Sequence, residues 1–275
     1  MLGIIDIIKR SFKAWTSNFI IVLPFVFLYV AALILMIPLL AIIFFSFLKS
    51  YFSGITGMAT DTALETFPTF PNFFGLTFLM NFILIYVVIF VVALLFISAY
   101  FSPGAIGMAK ELWQKKISLR TMHEYGKYFY WRFLGVSILL ALITIGIYAV
   151  LIGISSLPFF ITRQPVWLLL LILGILIAFF LVLFFILAPL CLVAENLGIR
   201  RSISRSCQIV RKNYFSLLGL VILFMLMMGG AGMITNIIPF TGWIGSLASL
   251  LVFQPVLTIA LMLFVLDRMQ GKKLR

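Results

Sequence analysis

Acidic residues are scarce. Only 7 of 275 residues are Asp or Glu, and the chain has one histidine and two cysteines. Each shortage excludes a chemistry. Two cysteines, Cys191 and Cys207, cannot build a disulfide framework or a Cys-based zinc site, so a reduced structural role is expected. The lone His123 stands beside Glu124. One histidine cannot form a His-x-x-Glu-His site, and a surface His–Glu neighbour is its ordinary reading. Asp6, Asp61, Glu65, Glu111, Glu124, Glu195 and Asp267 all fall outside the long apolar runs or at their ends. Ion-coupled transporters and intramembrane enzymes place ionisable groups within their spans. The expectation is a non-enzyme with no catalytic residues, metal ligands or cofactor. No Asn-x-Ser/Thr acceptor is present.

Charge of either sign is also thin. Charged residues make up 10% and hydrophobic residues 64%, against about 25% and 45–50% in soluble domains. A water-soluble globule is therefore excluded. A span needs about 20 apolar residues, which leaves room for five to seven spans and no soluble domain. The run from Phe19 to Leu48 is too long for the core of a cleavable signal peptide.

Apolar runs predict six spans, near 18–48, 76–102, 133–161, 166–193, 215–238 and 244–266. Pro24 and Pro38 within the first imply tilt or a kink. The 20 Lys and Arg residues then set the orientation. Eighteen of them fall on one side, and only Lys49 and Arg163 on the other. Both termini are thus expected in the cytoplasm, with the chain multi-pass in a prokaryotic plasma membrane.

Three segments share a character: Ile5–Phe19, Ser118–Phe133 and Ile199–Phe215. Each is basic, aromatic-tipped and runs into an odd-numbered span. Each carries an apolar stripe at about 100° per residue. The stripes are Ile5, Ile8, Phe12, Trp15; Leu119, Met122, Phe129, Phe133; and Ile199, Ile203, Cys207, Val210, Tyr214. Such helices suit the cytoplasmic headgroup layer. Pro103, Pro189 and Pro255 recur toward the cytoplasmic ends of the even-numbered spans. The predicted fold is an all-α polytopic membrane bundle of six spans plus three amphipathic interfacial helices. It forms one integral membrane domain, residues 1–275, with pseudo-threefold repeat units 1–110, 111–195 and 196–275.

Three stretches carry a family resemblance: SPGAIGMAKELWQKKISLRTMHEYGKYFYWRF, APLCLVAENLGIRRSISRSCQIVRKNYFSLLGL and IPFTGWIGSLASLLVFQPVLTIALMLFVLDRM. Together they resemble the six-span prokaryotic group similar to the membrane domain of glycerophosphodiester phosphodiesterases. The resemblance covers about two-thirds of the chain and implies an all-helical integral membrane protein. It implies no activity, because no phosphodiesterase barrel is attached.

Two sets of candidate site residues follow. The cationic faces offer Lys9, Arg10, Lys13, Arg120, Lys127, Arg132, Arg200, Arg201, Arg205, Arg211 and Lys212 to anionic lipid headgroups, each attracted by about 1 kcal/mol near the surface. Topology fixing with snorkelling and a cytoplasmic protein partner are the competing readings; nucleic acid is not expected. Within the spans, Asn81, Asn236 and Gln254 either hydrogen-bond between helices or line a polar path. Pro255 frees a backbone carbonyl that Gln254 could satisfy. The glycines at 229, 230 and 232 with Gly245 and Ser249 fit close helix packing or a gate. The Phe- and Pro-rich loop 49–75 fits an outer aromatic belt or a lid. The expected function is a lipid-interacting protein or a membrane subunit or scaffold, with a protein partner or self-association open. The alternative is a transporter or channel for a small apolar or amphipathic solute.

Overall fold

A computed structural model describes residues 2–58, 73–113, 117–162, 166–236, 245, 247 and 249–270. Among the described residues every regular element is helical. Helix α1 is Ile4–Ser17, followed by a 3-10 turn, Phe19–Val22. Helices α2 (Leu23–Met58), α3 (Phe73–Glu111), α4 (Leu119–Thr162) and α5 (Val166–Val182) come next. Then follow α6 (Ala188–Glu195), α7 (Ile199–Asn236), a π-helical turn (Ser249–Phe253) and α8 (Gln254–Gln270). Where water is absent, a helix satisfies its backbone within its own segment, and the apolar runs take that form.

Five segments are long and apolar enough to cross a membrane: Phe19–Ile42, Asn81–Glu111, Leu119–Leu151, Ile199–Met233 and Ser249–Met269. Large apolar side chains along them are exposed, among them Ile34, Ile37, Leu84, Ile145 and Leu226. A soluble helix that is apolar all round would be buried; this exposure points to a multi-pass membrane protein. Helix α5 has 17 residues, short of the ~20 a span needs. The run expected as one span at 166–193 is interrupted by turns at Leu183–Leu187 before α6 begins.

Pro189 explains that interruption. It has no N–H, and its ring clashes with the carbonyl four residues back. The preceding turns tighten, so Ala188 N bonds Phe185 O at 2.9 Å rather than Phe184 O.

The chain divides into two compact units. One is Leu28–Ile97; the other joins Met1–Phe27 to Ser98–Arg275. Within the first, Tyr86 donates from its hydroxyl to the Leu35 carbonyl. The second unit holds the best-packed core. Its hub is α8, where Val256, Ile259, Ala260, Met262, Phe264 and Val265 are wholly buried. Helices α1, α6 and α7 pack against it. Helix α1 runs opposite to α8, with Leu2 N on Asp267 Oδ2 at 3.1 Å and Trp15 Nε1 on Leu251 O at 3.1 Å.

The three basic segments bury faces of matching spacing. They are Ile7, Ser11, Ala14; Met122, Gly126, Phe129; and Ser202, Ser206, Ile209. Four residues beyond each stand Asn18, Phe133 and Asn213. Asn18 (φ −141°, ψ 65°) ends α1, and Asn213 (φ −132°, ψ 29°) kinks α7. Each amide donates to the carbonyl four residues back, Ala14 at 3.5 Å and Ile209 at 3.1 Å. Such local side-chain bonds compete with the helix ladder. Phe133 offers no competing group, and α4 runs through it unbroken. The second basic segment is therefore the first part of a 44-residue helix, not a separate one.

The expected stripes need correcting in the same places. In α1, Ile5 is 80% exposed, while small Ser11 and Ala14 make the contact face with Ile7. In α7 the buried face is Ser202, Ser206 and Ile209, and of the stripe only Val210 joins it. Small residues let two helices approach closely, and hydrophobic periodicity alone does not rank closeness. In α4 the stripe holds at Met122, Phe129 and Phe133, while Leu119 is exposed.

Candidate functional site

Cationic side chains collect where the basic part of α7 meets its apolar part. The kink at Asn213 is flanked by Arg211 and Lys212, both exposed, and by Arg205 about two turns earlier. The end of α8 brings Arg268 to the same place. Together with Gln208, Ile209 and Asn213 they line a cavity of about 460 Å³.

Two carboxylates stand near these four cations. Glu195 Oε1 accepts from Arg205 Nε at 3.0 Å, and Asp267 Oδ2 lies 3.7 Å from Arg268 Nη1. Asp267 Oδ2 also accepts from Leu2 N. The Arg268 side chain is only 8% exposed. Its guanidinium lies 5.2 Å from the centre of the Phe264 ring. Arg268 Nε is buried with no hydrogen-bond partner among the described residues. A buried donor left unmade costs about 1–3 kcal/mol, more when charged. The wall therefore carries excess positive charge, with an unsatisfied donor closed off behind it.

A second cavity, about 380 Å³, is lined by Lys110, Glu124, Tyr125, Tyr128, Phe129, Val193 and Asn196. Its polar groups are engaged with each other. Lys110 Nζ donates to Val193 O at 3.2 Å at the end of α6, and Tyr125 donates to Glu111 Oε1 at 3.1 Å. Asn196, left-handed at φ 53°, accepts from Arg132 Nη1 at 2.9 Å and donates to the Tyr128 hydroxyl at 3.2 Å. Arg132 also sits over the Tyr128 ring. This cluster ties α3, α4 and α6 together.

The remaining cationic candidates are dispersed. Lys9, Arg10 and Lys13 are exposed along α1, Lys127 on α4, and Arg200 and Arg201 on the first turn of α7. Arg120 pairs with Glu124 at 2.8 Å in the open. Of the eleven, Arg205, Arg211 and Lys212 are brought to one cavity, and the buried cation that completes it, Arg268, reads in the sequence as mere tail charge.

The polar residues of the spans are placed singly. Asn81 and Gln254 are exposed, each within its own unit. The side chain of Asn236 lies outside the described residues, as do the loop 59–72 and most of 237–248. The carbonyl that Pro255 leaves without a donor is that of Leu251, and Trp15 takes it rather than Gln254. The Gln254 carbonyl itself accepts from Thr258 Oγ1 at 3.0 Å. His123 Nδ1 hydrogen-bonds the Tyr100 hydroxyl. Among the described residues, nothing stands within 4 Å of where a Cβ would be at Gly229, Gly230 and Gly232, and most of the segment expected to pack on them, 237–248, lies outside the described residues.

Comparisons with protein families, with curated proteins and with solved structures gave no match for this chain.

Proposed function

We propose that this is a non-enzymatic, lipid-interacting protein of a prokaryotic plasma membrane, crossing it six times with both termini in the cytoplasm. Its basic helices form a collar around the cytoplasmic end of the bundle, held against anionic headgroups. The α5–α6 run supplies the remaining crossing, broken at Pro189. Kinship with the six-span membrane-domain group belongs to this proposal and rests on the three sequence stretches that carry the resemblance.

One observation carries the lipid reading. At the joint between basic segment and apolar run, an aromatic residue projects outward each time. These are Phe19 (59% exposed), Trp131 (74%) and Phe215 (83%). Exposed cations lie within a few residues: Lys13, Arg132, Arg211 and Lys212. Aromatics flanked by cations mark the headgroup level of a membrane. A cation there gains about 1 kcal/mol from an anionic leaflet.

A threefold repeat is part of the same proposal. Three buried faces of equal spacing support it, and so does the partner each one meets. The first docks on the helix with Pro255, the second beside α3 with Pro103, and the third beside the α5–α6 turn before Pro189. Each time a backbone carbonyl near the proline is approached: Leu251 by Trp15, Tyr100 by Gly126, Phe184 by Ser206. Each basic helix thus meets the preceding unit, and the first meets the last.

The test is native mass spectrometry of the full chain released from a mixture of phosphatidylglycerol and phosphatidylcholine. Preferential retention of phosphatidylglycerol is expected, reduced in Arg200→Gln/Arg201→Gln. Equal retention of both lipids by the unaltered protein would sink the lipid reading.

A further inference from the structure

We infer that the cavity between the α7 kink and the end of α8 is a built binding site for a phosphate group, with Arg268 as its floor. The occupant is the phosphate ester of a lipid headgroup. This rests on the lipid reading above for the source of the phosphate, but the site itself stands on its own geometry.

Four cations, Arg205, Arg211, Lys212 and Arg268, line one cavity. Two carboxylates offset two of them, and each is bound to its own arginine. The remaining excess suits an anion. Arg268 is the informative member. A guanidinium is taken out of water at a cost of several kcal/mol unless it is fully paired, yet its Nε has no partner. The contact to Asp267 is long, at 3.7 Å and from Nη1 only. Nε and an Nη together present two parallel donors that match two oxygens of one phosphate. Nε is closed off from the cavity, so the guanidinium must turn toward an entering phosphate, and an oxygen then at Nε would satisfy the one orphaned donor.

Position favours a lipid over free phosphate. The cavity wall includes Asn213, and two residues on, Phe215 is fully outward at the start of the apolar run of α7. Headgroup phosphates lie at that level when an apolar helix is inserted. A volume near 460 Å³ exceeds what a bare phosphate fills and leaves room for the rest of a small headgroup. Arg211 and Lys212 stand at the exposed rim, where they draw in an anion. Arg268 holds it below.

Arg268→Gln keeps the stem but removes the charge and the fork. Arg211→Gln/Lys212→Gln changes only exposed side chains and guards against a folding defect in the first variant. The full chain is purified in neutral detergent, and each form is titrated at constant ionic strength with dioleoylphosphatidylglycerol and, separately, inorganic phosphate. Both variants should weaken dioleoylphosphatidylglycerol binding by about tenfold or more, the loss expected for a charge-assisted hydrogen bond. Gly146→Ala, outside the cavity lining and with open space around it, should bind as the unaltered protein does.

Inorganic phosphate binding that needs Arg268, without any binding of the lipid, would keep the site and overturn the lipid as its occupant. Unchanged binding of both probes in the double variant would overturn the site. If Arg200→Gln/Arg201→Gln abolishes lipid preference while the cavity variants do not, this site fails and the lipid collar stands.

Discussion

Trp15 and Leu251 are 236 positions apart, yet the indole N–H donates to that carbonyl. Pro255 leaves room for the bond, because it cannot donate to the carbonyl four residues before it. Trp15→Phe keeps the ring and deletes the donor. The expected loss is about 1 kcal/mol, the net worth of a part-buried hydrogen bond, read as a lower Tm in detergent. An unchanged Tm would show that the carbonyl is satisfied otherwise. Gly126 makes a second residue-scale case. A Cβ there would stand 2.8 Å from the Tyr100 carbonyl oxygen, so Gly126→Ala should cost about 1–3 kcal/mol through overpacking. Gly146 lies in the same helix with nothing within 4 Å. Gly146→Ala should be neutral or gain up to about 1 kcal/mol by stiffening the helix. If both alanines behave alike, the close approach of α3 and α4 is wrong. The prolines were plain in the sequence; Trp15 as a partner was not, because a hydrogen bond across the chain leaves no local pattern.

At the level of elements, the α5–α6 break shows how one residue redirects a neighbour. Pro189 shortens the preceding turns, and the Phe184 carbonyl is left to accept from Ser206 Oγ at 2.7 Å. Cys207 Sγ approaches the same oxygen at 3.8 Å. Pro189→Ala restores the N–H and lets Ala188 N return to Phe184 O. Ser206→Ala should then cost about 1 kcal/mol in the natural chain and clearly less beside Pro189→Ala. A double-mutant cycle reads the difference; costs additive to within about 0.5 kcal/mol would contradict the coupling. The basic segments were legible as helices from their periodicity. Their breaks were legible in hindsight at Asn18 and Asn213, and the missing break in α4 follows from Phe133. Which face docks was not legible. Ser11, Gly126 and Ser206 are small, so they score as weakly apolar or polar, yet they sit where backbones meet.

For the whole molecule, the lopsided charge is the basis of the proposed orientation, and a labelling experiment checks it. In a background with Cys191 and Cys207 replaced by serine, cysteines at positions 61 and 272 should react with an impermeant reagent from opposite faces of sealed vesicles. Reaction from one face would overturn the proposed six-span topology while leaving the helices intact. Neutralising Lys9, Arg10 and Lys13 to Gln should raise the fraction of misoriented chains in the same assay, because basic residues near the first span weigh heavily in insertion.

Sequence alone determined that this chain is helical and apolar enough for a membrane, where its basic segments lie and where prolines interrupt it. These properties depend on neighbours along the chain: hydropathy is a sum over a window, helical periodicity needs one turn, and a proline acts on the carbonyl four residues back. Only the tertiary structure decided that Trp15 meets Leu251, that small residues rather than the apolar stripe form the docking faces in α1 and α7, and that Arg268 is buried beside Arg205, Arg211 and Lys212. Those depend on which helices come together. An arginine at the end of an apolar run looks the same in sequence whether it reaches into water or is closed over by another helix, and only packing distinguishes a topology charge from the floor of a binding site.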